Sequence, residues 1–160
     1  MSGNVRSAGA SPLVLSFAQI GRGDLALAGG KGANLGEMTR AGFSVPPGFC
    51  VTTAAYRLFL AGHPDVAGLF ASLEAIRPDE VEALRRAAGT FREELERLPI
   101  PAPVEQAILV AWEELGSDGA YAVRSSATAE DLPHASFAGQ QESYLNVRGK
   151  EALLRAVRSC

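Results

Sequence analysis

The feature that most limits how this chain can fold is a long polar segment between two short strand patterns near its C-terminal end. Residues 120–123, AYAV, predict a strand, and residues 142–147, ESYLNV, alternate in the manner of a second strand. Between them runs RSSATAEDLPHASFAGQQ, which consists almost entirely of small and polar residues. Loops of this length are uncommon in compact domains and are usually functional. The pattern therefore predicts a strand pair that carries a functional loop.

The rest of the chain predicts mostly helices. Residues 13–17, LVLSF, predict a strand, and residues 45–53, VPPGFCVTT, predict a turn and a short extended segment. One helical pattern begins after Thr52 or Thr53, either of which can cap it, and continues to Gly62. Two more run from Pro78 to Leu98 and from Val104 to Leu115, and a last one begins at Gly149. Together these patterns predict an α+β fold with a few short strands packed against helices.

A glycine-lined helix start is the second informative feature. In LALAGGKGANLGEMTRAG (25–42), Gly29 and Gly30 interrupt the pattern, and a short helix ending at Gly42 is expected after them. Free backbone N–H groups at such a start, together with the helix dipole, favour an anion, and the glycines allow its oxygens to come close. Lys31 would add a mobile positive charge.

This motif is not a Walker A loop, because Leu25 stands where its first glycine would be and Gly32 follows the lysine in place of serine or threonine. The residues alone leave two interpretations open. One is a phosphate site, and the other is a flexible turn with a surface lysine.

The first residues of the polar loop offer another candidate anion site. Arg124, Ser125 and Ser126 bring a guanidinium group and two hydroxyl groups to the end of the predicted strand. Arginine suits bidentate recognition of phosphate. It would equally suit an ion pair with Glu130 or Asp131 that braces the loop, and the residues do not decide between these interpretations.

Other chemically active side chains favour structural roles. His63 is expected at the surface, and His134 is expected to make local hydrogen bonds in the polar loop, although a catalytic role there is conceivable. Cys50 is expected to pack in an apolar segment, since no histidine is placed to activate it, and Trp112 is expected in the core. No catalytic residue and no complete metal-ligand set are assigned.

Bulk composition excludes several classes of protein. The 160 residues carry a net charge of -3, which argues against a nucleic-acid partner, and no apolar run is long enough to cross a membrane. Two distant cysteines without a metal-binding spacing fit a reducing cytoplasm. Residues 1–11 are expected to form a disordered leader, and residues 12–160 one domain or a piece of one.

Three blocks of sequence carry a resemblance to a known family. They are ALAGGKGANLGEM (26–38), VPPGFCVTTAAY (45–56) and AVRSSATAEDLPHASFAGQQESYLNV (122–147). In this order and spacing they resemble the N-terminal nucleotide-binding domain of the phosphoenolpyruvate synthase, pyruvate phosphate dikinase and rifampin phosphotransferase superfamily. The residues of these blocks are most similar to those of the rifampin phosphotransferase branch, followed by phosphoenolpyruvate synthase.

The resemblance implies roles for four residues. Lys31 and Arg124 would contact the phosphates of ATP, and the two segments that carry them would face one another across one cleft. Gly139 and Ser143 would line the nucleotide, and Ser143 retains a hydroxyl group where threonine is expected in many relatives. His134 lies inside the nucleotide loop and does not match the family's phosphorylated histidine, whose signature is absent from this sequence.

The resemblance also implies an activity and an extent. Residues 12–160 would form the N-terminal portion of an ATP-grasp-type domain whose metal-binding acids and adenine pocket lie further along the chain, so this sequence is expected to be a fragment. The implied enzyme passes phosphate from ATP, with Mg²⁺, through a phosphohistidine to rifampin. Pyruvate is the alternative acceptor, and a non-catalytic fragment that binds nucleotide or a partner protein is the alternative from another class.

Overall fold

A computed structural model describes residues 11–127 and 143–160, which form six α-helices and four short strands. The strands are β1 (Val14–Ser16), β2 (Phe49–Val51), β3 (Tyr121–Arg124) and β4 (Ser143–Val147). The helices are α1 (Leu25–Arg40), α2 (Thr53–Leu60), α3 (Val66–Glu74), α4 (Val81–Arg97), α5 (Ala102–Leu115) and α6 (Lys150–Ser159). The predicted α+β class is confirmed. The predicted leader falls outside the described residues except for its last position.

The strands form two separate antiparallel pairs. In the β1–β2 pair, Leu15 lies opposite Cys50. In the β3–β4 pair, Arg124 lies opposite Ser143, with an irregularity in register between Tyr121 and Val123. Two-stranded ribbons are marginally stable by themselves, so each depends on the helices packed against it.

The larger apolar cluster joins α5 and α6 to the strands. Its centre is Ile108 on α5, which is fully buried, and Trp112 one turn further along is 8% exposed. The prediction that Trp112 is a core residue is therefore confirmed. The other buried members of the cluster are Ala55, Val104, Val147, Leu153 and Ala156. A smaller cluster of Leu15, Ile20 and Ala28 lies under α1.

Helix α1 is broken near its start by Gly29, whose φ of 69° and ψ of 176° are not helical. The predicted glycine interruption is thus confirmed, but the helical conformation begins at Leu25, ahead of the glycines and earlier than expected. The predicted end is confirmed as well. Gly42 has a φ of 80°, and the N–H of Phe43 after it donates to the carbonyl of Met38 at 3.0 Å.

One face of α1 consists of small residues spaced four apart, Ala28, Gly32 and Gly36. A Cβ at Gly36 would lie 2.6 Å from the carbonyl oxygen of Ile20, and one at Gly32 would lie 2.6 Å from the Sγ of Cys50. The absence of side chains at these positions lets the helix lie directly against the smaller cluster and β2.

Two predicted helix starts differ in detail from the structure. The fourth helix begins at Val81 and not at Pro78, because residues 77–80 form a turn in which the N–H of Glu80 donates to the carbonyl of Arg77. Thr52 is the first residue before α2, as expected, but its hydroxyl donates to the carbonyl of Pro12 at 2.6 Å and caps nothing. The threonine therefore anchors α2 to the chain leading into β1.

None of the described helices combines the length and the apolar character needed to cross a bilayer.

Replacing Gly29 by alanine should destabilise the fold. The backbone at Gly29 lies in a region open almost only to glycine, and an added Cβ would lie 2.5 Å from the Oγ of Ser126. We expect Gly29→Ala to lower the free energy of unfolding by about 2 to 4 kcal/mol. Urea denaturation monitored by circular dichroism measures the change.

Gly89→Ala is the matched control, since Gly89 lies inside α4 and a Cβ there meets nothing within 4 Å. This substitution should raise the free energy of unfolding by about 0.5 to 1 kcal/mol, because alanine favours the helix. Similar losses at both glycines would contradict the assignment of Gly29 as a conformational break.

Candidate functional site

The structure brings the two predicted anion-binding segments into direct contact. The N–H of Gly30 donates to the carbonyl of Ala127 at 3.0 Å, and the N–H of Gly32 donates to the Oγ of Ser126 at 3.1 Å. The second of these bonds joins residues 94 positions apart in the sequence. The two segments were expected to face one another across one cleft, and the described residues instead show them hydrogen-bonded directly to each other. Their sharing of one phosphate site remains a prediction.

The hydroxyl of Ser126 bridges the break in α1. It accepts from the N–H of Gly32 and donates to the carbonyl of Ala28 at 2.8 Å. These two backbone groups are four residues apart, so in a continuous helix they would bond to each other. A side chain inserted at this place satisfies both groups and stabilises the kink at Gly29.

This arrangement corrects one expectation from the sequence. The amides of Gly30 and Gly32 are not free to hold an anion, because Ala127 and Ser126 occupy them. The hydroxyl of Ser126 belonged to a segment for which a phosphate site was one of two open interpretations, and it is bonded to the backbone of α1.

Lys31 lies between the two tethered glycines and is half-buried. Because the residues on both sides of it are hydrogen-bonded to residues 126 and 127, its backbone has a fixed position relative to the end of β3. This rigidity argues against the alternative of a flexible turn that happens to carry a lysine.

Arg124 is placed by the alternation of β3. Tyr121 and Val123 turn towards the core cluster, whereas Arg124 is exposed. Ser143 on β4 lies directly opposite Arg124 and is also exposed, and opposed residues of an antiparallel pair share one face. The guanidinium group and a hydroxyl group thus occur on the same face of the ribbon.

For three of the four predicted site residues, Lys31, Arg124 and Ser143, the structure shows how their positions are connected. Arg124 precedes Ser126 by two residues, so at most about 7 Å separates their Cα atoms, and Ser126 is bonded to the residue after Lys31. Ser143 lies opposite Arg124. Gly139 is outside the described residues. The nucleotide-binding roles of all four remain predictions.

The alternative of a braced loop is tested only in part. Among residues 11–127 and 143–160 no carboxylate forms an ion pair with Arg124. Glu130 and Asp131, the bracing partners suggested by the sequence, and His134 lie outside these residues. Within the same part of the chain no three histidine, cysteine or acidic side chains come together as metal ligands.

Cys50 lies beneath the kink and was not connected with the site by the sequence. Its Sγ is 3.9 Å from the carbonyl oxygen of Ala28, and it faces the place where Gly32 lacks a side chain. Burial raises the pKa of the Cys50 thiol from 9.0 to about 11. Cys50 also packs against the smaller apolar cluster, which confirms its expected role in packing.

Comparison with known protein families gives one match that covers most of the chain. Residues 25–160 match the pyruvate phosphate dikinase, AMP/ATP-binding domain family. The matched range includes α1 with its kink, Ser126, and both strands of the β3–β4 pair.

The individual relatives are named either as rifampicin phosphotransferases or as phosphoenolpyruvate synthases. The chain is 47% identical over 148 residues to a rifampicin phosphotransferase of Streptomyces sviceus, with 92% of this chain and 17% of that protein covered. It is 40% identical over 151 residues to a rifampicin phosphotransferase of Bacillus subtilis, covering 94% and 17%. It is 41% identical over 152 residues to a probable phosphoenolpyruvate synthase of Methanothermobacter thermautotrophicus, covering 92% and 22%. The resemblance stated from the sequence is confirmed, and the chain spans about a fifth of these relatives' length.

The two cysteines should differ sharply in reactivity. At pH 8 we expect Ellman's reagent to modify the exposed Cys160 quickly and Cys50 only after unfolding, because the raised pKa leaves almost no Cys50 thiolate. Between pH 9 and 11 the unfolded state loses this proton while the folded state keeps it, so the free energy of unfolding should fall over that window.

Cys160→Ser serves as the control for reactivity and should abolish the fast phase. Cys50→Ser serves for stability and should remove the loss between pH 9 and 11 that arises from this thiol. Two thiols reacting quickly in the folded protein would contradict the placement of Cys50.

Proposed function

This chain belongs to the pyruvate phosphate dikinase AMP/ATP-binding domain family, and from that membership we propose that it binds the phosphates of ATP where α1 meets the end of β3. The proposal assigns Lys31 and Arg124 as the cationic contacts. One observation carries it, namely that Gly30 and Gly32, on either side of Lys31, are both hydrogen-bonded to the residues that follow Arg124.

The chemistry of the side chains supports this assignment. A guanidinium group presents a planar fork that holds two phosphate oxygens at once, and an ammonium group adds a compact charge that adapts to a third. Arg124 is exposed and therefore accessible to a ligand. Two backbone amides of the helix start are already bonded within the protein, so the proposal assigns the neutralisation of a polyphosphate at this junction to these two side chains.

We propose two further contacts with the nucleotide. Ser143 lies opposite Arg124 on the same face, so its hydroxyl is placed to accept or donate beside the same ligand. Gly139, in the sequence between β3 and β4, is proposed to let the nucleotide come close to the main chain, because glycine has no side chain to block it.

The relatives suggest the reaction in which this site takes part. We propose that the chain is the nucleotide-binding part of an ATP-dependent phosphotransferase with an ATP-grasp-type fold in the cytoplasm. Phosphate would pass from ATP to a histidine outside these 160 residues and then to an acceptor. Rifampin, and with it antibiotic resistance, is the proposed acceptor on the strength of the names of two relatives, and pyruvate is the alternative from the name of the third.

We propose Mg²⁺ as the metal that accompanies ATP and assign it no ligands. Enzymes of the resembled kind are expected to use Mg²⁺ with ATP, but the described residues contain no cluster of three candidate ligands. The part that the proposal assigns to the described residues is to hold and neutralise the phosphates through Lys31 and Arg124.

Binding of ATP should depend on the shape of the Arg124 side chain as well as its charge. We expect the β- and γ-phosphorus resonances of ATP to shift on titration with the chain, and Arg124→Lys to weaken the affinity about tenfold to a hundredfold, since the fork is lost. The midpoint of thermal unfolding should change little, because an exposed ion pair contributes only about 0 to 1 kcal/mol. Phosphorus NMR and thermal melts on one preparation give both quantities.

Arg85→Lys is the matched control, since Arg85 is an exposed arginine of α4 that pairs with Glu82 at 3.2 Å. It should leave ATP affinity unchanged. An Arg124→Lys chain with unaltered affinity and a lowered melting temperature would make Arg124 a structural brace, and absence of ATP binding by the unaltered chain would overturn the proposed site.

The 160-residue chain by itself should transfer no phosphate to rifampin or pyruvate. Its two histidines, His63 and His134, do not match the phosphorylated histidine that the family resemblance implies. The assay incubates purified chain with radiolabelled ATP and each acceptor and separates the products. Labelled acceptor above the no-protein blank would show that the catalytic groups lie within this chain.

A further inference from the structure

We infer that Ser126 is a positioning residue for Lys31, acting through the break in α1 and not through contact with the nucleotide. The inference rests on the proposed phosphate contacts of Lys31 and Arg124. It follows from the place of one hydroxyl, which bonds to Ala28 on one side of Gly29 and to Gly32 on the other.

The first step concerns the alternative conformation that Ser126 excludes. The carbonyl of Ala28 and the N–H of Gly32 are an i, i+4 pair, so without the hydroxyl they would satisfy each other by closing a continuous helix. Gly29 would then leave its present φ of 69°, and the turn that carries Lys31 would rotate relative to β3. The hydroxyl keeps the two groups apart and so holds the broken form.

The second step concerns how closely the two segments approach. A Cβ at Gly29 would lie 2.6 Å from the carbonyl oxygen of Ser126 and 2.7 Å from its carbonyl carbon. The main chain of Ser126 thus lies against the main chain of Gly29, and the adjacent Ala127 accepts from Gly30. Three hydrogen bonds therefore connect residues 28, 30 and 32 to two consecutive residues that follow Arg124.

The third step separates positioning from direct binding. A serine hydroxyl has one proton to donate, and that of Ser126 goes to Ala28. A phosphate oxygen would have to displace this carbonyl to be bound by Ser126. In the segment Gly30–Gly32 only Lys31 has a side chain beyond hydrogen, so we assign the effect of Ser126 on a ligand to Lys31. An effect passed on through Arg124 would persist in a chain without Lys31.

The test is a double-mutant cycle on ATP affinity with Ser126→Ala and Lys31→Met, measured by phosphorus NMR well below the melting temperature. Ser126→Ala should raise the dissociation constant about tenfold in the unaltered chain, because without these two hydrogen bonds the broken, binding-competent form of α1 becomes the minor form. In the Lys31→Met chain the same change should have an effect of less than about twofold, because the group it positions is gone.

Two further variants distinguish positioning from stability. Ser126→Thr keeps the hydroxyl and should restore most of the affinity. Ser72→Ala removes a serine hydroxyl that donates to the carbonyl of Leu69 at 2.7 Å in α3, and it should leave ATP affinity unchanged. If Ser126→Ala does not fold, Ser126→Cys, which is close in shape but a weaker donor, enters the same cycle.

The outcomes are separable. If Ser126→Ala weakens binding equally with and without Lys31, or not at all, the positioning role is overturned and the proposed phosphate site stands. If Lys31→Met leaves the affinity for ATP unchanged, the phosphate contact itself is overturned and the positioning role falls with it. A lowered melting temperature for Ser126→Ala in both backgrounds is compatible with the inference only when the affinity loss is confined to the chain with Lys31.

Discussion

The site of this protein depends on a single serine hydroxyl that takes the place of a helical hydrogen bond. Ser126 separates the carbonyl of Ala28 from the amide of Gly32, and the helix can break there because Gly29 adopts a backbone conformation that other residues avoid. The two requirements are complementary. The hydroxyl bonds two groups that would pair with each other in a continuous helix, and a Cβ at Gly29 would lie 2.5 Å from the hydroxyl oxygen.

The same junction determines which groups are left for a ligand. Helix N-termini often bind anions through unpaired amides, but here two of the amides at the restart of α1 already have partners within the protein. We propose side-chain cations as the means of binding polyphosphate at this place. Lys31 emerges between the tethered glycines, and the alternation of β3 turns Arg124 outward beside Ser143 while Tyr121 and Val123 pack inward.

Local patterns in the sequence predicted local structure well, and contacts between distant segments much less. Alternation and turn residues identified the strands, and Gly29 and Gly42 marked the break and the end of α1. The partners of Gly30 and Gly32 could not be identified, because no local pattern links residues about 95 positions apart. Thr52 shows the same limit, since its position before α2 was foreseen but its hydroxyl bonds to Pro12, 40 positions away.

Because Arg124 and Ser143 are paired in the β3–β4 ladder, their relative position does not depend on the number of residues between the two strands. The ladder holds the two ends of an 18-residue segment together, whatever lies between them. The entropy of closing a flexible loop grows only with the logarithm of its length, by about 0.6 kcal/mol for each doubling. Insertions and deletions between these strands, outside the residues that form the junction or are proposed to contact the nucleotide, should therefore cost little folding free energy.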